Sequence, residues 1–171
     1  MVIRLGALAA ILAGILRAAT SFNSYSARSV EIELLYLGID LLLLFAIVTV
    51  YAYVRERSGW LGLVGFVLAL AGTGSIVGPD GTLAGVDMYF VGATTLSVGL
   101  AILSVASWRG MALPRVVCAL WIGSTLMGIG GYFVQGAGVL FTLAGLAFAV
   151  GFLLAGLRMW RKPEPEAMVR P

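Results

Sequence analysis

The chain has 171 residues, of which 61% are hydrophobic and 11% are charged, and its formal net charge is +3. Its mean hydropathy of +1.04 leaves too little polar surface to cover a water-soluble globule, so the composition predicts a fold surrounded by lipid. The sequence has no histidine, and its only lysine is Lys162. Histidine-ligated haem, histidine-based zinc and iron centres, a retinal Schiff base within a helix and a Ser-His-Asp triad are therefore excluded.

Six apolar stretches follow one another along the chain, and each is long enough to cross a hydrocarbon core of roughly 30 Å as a helix. In chain order they cover Leu5–Phe22, Glu31–Val54, Trp60–Val77, Asp87–Trp108, Leu113–Val134 and Val139–Trp160. Turn-forming residues and most of the charges separate them. The sequence therefore predicts an all-α, polytopic transmembrane helix bundle with six spans, which forms one domain over residues 1–160.

The two ends of the chain need separate interpretation. Arg4 followed by an apolar run is also typical of a signal peptide, but Arg17 interrupts that run and no compact Ala-x-Ala site follows. A retained helix is favoured, and cleavage would leave five spans. At the other end, residues 161–171 contain the run Lys-Pro-Glu-Pro-Glu, which cannot continue a helix and has little to bury. We predict a disordered cytoplasmic tail there.

The basic residues predict the orientation, because positively charged segments stay on the cytoplasmic side during insertion. With the N-terminus inside, the cytoplasmic segments and helix ends hold nine of them: Arg4, Arg55, Arg57, Arg109, Arg115, Arg158, Arg161, Lys162 and Arg170. Only Arg17 and Arg28 fall toward the other side. Both termini are thus predicted to be cytoplasmic, and the short loops fit a bacterial inner membrane. Since the basic residues are scattered, a nucleic-acid partner is not expected.

Small residues form a stripe on several helices, which is how membrane helices approach one another closely. The predicted stripes are Gly6, Ala10, Ala13, Gly14 and Arg17 in the first helix, Gly62, Gly65, Ala69 and Gly72 in the third, Ser124, Gly128, Gly131 and Gln135 in the fifth, and Gly138, Thr142, Gly145, Ala149 and Gly156 in the sixth. On the first helix, large leucines should occupy the opposite face. These Gly/Ala-rich faces pack the bundle together, or they bind a membrane-protein partner.

Polar residues inside or beside the spans define the candidate site. Glu33, Tyr36 and Asp40 are spaced by three and four residues, so they share one stripe of the second helix, and we expect that stripe to face Arg17. Arg17 should reach Glu33 more easily than Asp40. Further candidate ligand-binding residues at nearby helix ends are Asp87 and Gln135, although Asp87 also stands where a helix N-cap is expected.

Two interpretations of this cluster stay open. In one, Arg17 and a carboxylate form a permanent ion pair that fixes the helix register. In the other, the cluster opens outward and binds a small polar solute, with Arg17 holding an anionic group or Asp40 carrying a proton or cation. The corresponding functions are a non-enzymatic binder or transporter and an accessory subunit of a larger membrane complex. No pattern indicates a reaction, a cofactor or a metal.

Overall fold

The computed structural model describes residues 1–22, 30–77, 82–83, 85–134, 136 and 138–162. The helices are α1 (Val2–Thr20), α2 (Val30–Ile76), α3 (Met88–Arg109), α4 (Arg115–Gly131) and α5 (Gly138–Arg161). Two short strands, β1 (Thr82–Leu83) and β2 (Val86–Asp87), pair antiparallel just before α3. The predicted all-helical architecture is confirmed, and most helix ends lie within a few residues of the predicted ones.

Helix α2 spans 47 residues, but it consists of two arms that fold back on each other. Gly59 has φ 58° and ψ −159°, which interrupts the helical backbone. On the two sides of this break, the rings of Tyr51 and Phe66 stack with their centroids 4.2 Å apart. In a straight helix, residues with this separation would lie about 22 Å apart. We call the arms α2a (residues 30–58) and α2b (residues 60–76).

The helices form a closed ring in which each contacts the next along the chain and α5 returns to α1. Neighbours run antiparallel. Gly14 of α1 lies against Ala149 of α5 while Gly156 lies against Ala7, and Gly65 of α2b lies against Leu103 of α3 while Gly72 lies against Leu96. At its C-terminal end, α3 approaches the end of α2a through Gly110 and Arg57. One end of the bundle therefore carries Met1, the α2 break, the 110–114 turn and the end of α5. We call it the basic end, because eight of the basic residues within the described chain belong to it. The other is the distal end.

The contact between α2b and α3 depends on glycine. A Cβ on Gly72 would overlap the α3 backbone at the amide nitrogen of Leu96, and a Cβ on Gly65 would meet the carbonyl oxygen of Gly99 at 2.8 Å. The predicted small face of this segment is confirmed, since all four of its residues are buried. The prediction for Gly128 is wrong: no described atom lies within 4 Å of a Cβ built there, although Ser124 and Gly131 of the same stripe are buried.

The outside of the bundle is apolar. On α1, Gly6, Ala10 and Ala13 are buried, while Leu8 and Ile15 on the opposite face are 42% and 50% exposed, as predicted. Within the described residues, four helices, α1, α2, α3 and α5, are long and apolar enough to cross a membrane. The sequence predicts six spans. The difference arises because the two arms of α2 form one element and because α4 has only 17 residues. Long apolar helices with exposed leucines are compatible with an integral membrane protein.

Candidate functional site

Arg17 lies in the last turn of α1, near the distal end, and is half-buried. Its carbonyl oxygen accepts hydrogen bonds from Thr20 Oγ1 at 3.1 Å and from Ser21 Oγ at 2.8 Å, which satisfy the end of the helix. Arg17 is about three helical turns from Gly6, so both residues share a face of α1. Because Gly6 packs on the side chain of Thr49, that face is directed at α2a.

The acidic stripe of α2a consists of Glu33, which is exposed, and of Tyr36 and Asp40, which are half-buried. Tyr36 and Asp40 both interact with other groups of the protein. Asp40 is about three turns from Tyr51 and therefore shares its face of α2a. Since Tyr51 stacks on Phe66, this face is directed at α2b. The acidic stripe thus follows the junction of the two arms.

Arg17 and the acidic stripe occupy different sides of α2a. Thr49, which marks the α1 side, and Tyr51, which marks the α2b side, differ by about 200° around the helix axis. Counting three turns back from Thr49 sets Arg17 level with Gly38, within about 3 Å of Asp40 in depth but about 7 Å from Glu33. Arg17 is therefore closer in depth to Asp40 than to Glu33, which is the reverse of the expectation. Because Arg17 and Glu33 also lie on different sides of α2a, the geometry argues against a pair between them.

Asp87 has a structural role at the start of α3. Its Oδ1 atom accepts hydrogen bonds from the backbone N–H of Tyr89 at 2.9 Å and of Phe90 at 3.3 Å. This is the N-cap that the sequence predicts, and it satisfies two donors of the first helical turn. Gln135, the remaining candidate, lies outside the described residues.

An aromatic cluster at the distal end was not anticipated. Tyr132, which follows α4, makes edge-to-face contacts with Phe90 of α3 and Phe141 of α5, with ring centroids 4.9 and 5.2 Å apart. Burial raises the pKa of Tyr132, and the nearby Tyr89 and Asp87 raise it further. The cluster connects α3, α4 and α5 next to the N-cap formed by Asp87. Its only signal in the sequence is that aromatic residues recur at predicted helix ends.

The basic end contains a feature that sequence reasoning missed. A cavity of about 350 Å³ lies where α3, α4 and the end of α5 meet, and its wall is formed by Trp108, Met111, Ala112, Leu113, Pro114, Arg115 and Arg158. The sequence pattern indicates only that both arginines mark the orientation of the bundle. Residues so far apart in the chain share no local pattern, so only the tertiary fold brings them together.

Comparisons with known proteins give no relative for this fold: no family model, curated protein or solved structure matches the chain.

Proposed function

We propose that this chain is a non-enzymatic, multi-pass integral membrane protein of the bacterial inner membrane. In this proposal α1, α2a, α2b, α3, α4 and α5 are six spans, with the basic end and both termini in the cytoplasm. The apolar outer faces of the helices support insertion. The concentration of arginine at one end supports the orientation.

Within this bundle, we infer that the acidic stripe binds or passes a small polar solute of positive charge, either a cation or a proton, from the distal side. The observation that carries this inference is Asp40, a half-buried carboxyl group about 15 Å along α2 from its first residue. A charge at that depth costs roughly 2.5–3.5 kcal/mol on insertion scales, so such residues usually mark a path or a site. The different direction of Arg17 favours a cationic solute over an anionic one.

Proton flux tests this role directly. We expect vesicles that contain the reconstituted protein and an internal pH-sensitive dye to dissipate a pH gradient faster than empty vesicles do. Asp40→Asn should reduce the protein-dependent rate about tenfold or more, since the group that carries the proton is gone. Glu56→Gln, an exposed carboxyl at the basic end, is the matched control and should leave the rate unchanged.

The same variants are assayed for sodium and potassium flux with ion-sensitive dyes, because a site that carries a metal cation would give no proton flux. A rate that is equal in the wild type and in Asp40→Asn for all three ions would contradict the proposed role of the stripe.

A second function, an accessory or assembly subunit, is favoured by one observation on α4. Gly123 and Gly130 share a face two turns apart, and no described atom lies within 4 Å of a Cβ built on either. Ala119, one turn before Gly123, is exposed on the same face. A flat face of this kind lets a helix of another protein approach closely. A stoichiometric partner that co-purifies in mild detergent, and is lost from Gly123→Leu, would favour this function.

A further inference from the structure

Two neighbouring cavities at the basic end share the side chain of Trp108. The first is the 350 Å³ cavity with Arg115 and Arg158 in its wall. The second measures about 220 Å³ and is lined by Val105, Trp108, Arg109 and Ile122, between α3 and α4. The first lies at the end of the bundle, and the second continues along the helices. Together they make a site with one polar part and one apolar part.

The polar part is built for an anion. The described residues that line the two cavities carry three guanidinium groups and no carboxylate. The Nε atom of Arg158 is buried and has no hydrogen-bond partner among the described residues. A buried donor without a partner is costly, so a ligand that accepts its hydrogen bond would be stabilised.

The start of α4 adds to this positive potential. The helix begins at Arg115, directly after Pro114, whose side chain has no polar atom for a cap. Both residues line the first cavity, so the N-terminal end of the helix dipole points toward it. Backbone N–H groups at such an end bind phosphate oxygens in many proteins.

The apolar part extends inward along the helices, in the direction that a lipid chain takes. Ile122 lies about two turns, or roughly 10 Å, beyond Arg115 along α4, and Val105 is one turn before Arg109 on α3. The groove between these residues therefore extends from the headgroup region into the hydrocarbon region. Trp108 stands at the boundary, where an indole ring is favoured in membranes.

We propose that the basic end binds one anionic phospholipid. Its phosphate group lies between Arg115 and Arg158 at the start of α4, and one acyl chain lies against Trp108, Val105 and Ile122. A free phosphate ion would satisfy the arginines but would leave the groove empty, so the combination of the two cavities selects a lipid. The lipid would then join the end of α5 to α3 and α4 at the end where the short 110–114 turn connects those two helices.

Binding is measured with the full chain, purified in a neutral detergent and depleted of lipid. Phosphatidylglycerol is titrated in, and the bound fraction is followed by native mass spectrometry. We expect a single tight site in the wild type. The double variant Arg115→Gln/Arg158→Gln should bind about tenfold or more weakly, since each guanidinium contributes a charge-assisted interaction. The control is the double variant Arg55→Gln/Arg57→Gln, which removes the same amount of charge from the same end. Because Arg55 and Arg57 line neither cavity, this variant should bind like the wild type.

Three further ligands identify the source of the phosphate. Phosphatidylcholine should bind more weakly than phosphatidylglycerol, because its choline group approaches the arginines. The deacylated headgroup glycerophosphoglycerol and inorganic phosphate should bind at least about tenfold more weakly, because they leave the apolar groove unfilled. Inorganic phosphate as tight as the lipid would overturn the proposal, and so would equal losses in the two double variants.

Arg158→Lys separates binding from folding. It keeps the charge but removes the planar group that donates through Nε, so it should fold normally and bind the lipid several-fold more weakly. Arg115 is exposed, so Arg115→Gln alone should also fold. Wild-type affinity in both of these folded variants would contradict the site.

Discussion

Gly59 shows how one residue can determine the course of the chain. Its backbone has φ 58° and ψ −159°, a combination that side chains other than hydrogen rarely permit. No described atom lies within 4 Å of a Cβ built there, so a substitution is opposed by the backbone alone. The charges before Trp60 predict a break here. They assign no role to the glycine, because a glycine beside charged residues can also stand in an unstrained turn.

The residue-scale prediction is that Gly59→Ala lowers the free energy of unfolding by about 1–3 kcal/mol, the usual cost of a strained backbone conformation. The measurement uses Cys118, the only cysteine of the sequence, which is fully buried. It should react with a maleimide only when the protein opens, so the reaction rate against temperature reports unfolding. Gly38→Ala, at a helical glycine of α2a with open space around it, is the control and should be neutral or slightly stabilising. Equal reactivity of the two variants would contradict a strained break.

At the scale of elements, close packing decides which helices pair. Gly72 and Gly74 are two residues apart on α2b, yet a Cβ on Gly72 would overlap the backbone of α3 and one on Gly74 would meet open space. We expect Gly72→Ala to destabilise the protein by about 1–3 kcal/mol, the cost of overpacking a close contact, while Gly74→Ala has no adverse effect. Thermal unfolding followed by Cys118 labelling compares them. A loss of stability in both variants would indicate that helix propensity, rather than the contact with α3, sets the cost.

The same scale shows what periodicity can predict. The prediction that Gly65 and Gly72 lie on one face was correct, because residues three and four apart must share a face of a helix. The direction of the acidic stripe was expected toward Arg17, whereas the Tyr51–Phe66 stack turns that face toward α2b. A sequence pattern defines which residues share a face. It does not identify the neighbour, because that depends on contacts between distant segments such as α2a and α2b.

For the whole molecule, the prediction concerns how many helices cross the membrane. By length and composition four qualify, and α4 with its 17 residues falls short. A helix of that length nevertheless extends about 26 Å, close to a hydrocarbon core of roughly 30 Å, and its flanking residues can cover the remainder. The antiparallel ring also requires α4 to connect the basic end with the distal end, because α3 and α5 on its two sides run the opposite way.

Single cysteines introduced into a Cys118→Ala background test this topology. Met111 at the basic end and Phe133 at the distal end are 74% and 85% exposed, and they flank α4. Glu56 and Val86, also exposed, flank α2b in the same way. In intact bacterial cells, a membrane-impermeant maleimide should label Phe133→Cys and Val86→Cys, because six spans with cytoplasmic termini put the distal end outside. Met111→Cys and Glu56→Cys should react only after permeabilisation. Labelling of both α4 positions from one side would show that α4 does not cross, and the inverse pattern would show that the arginine-rich end faces outward.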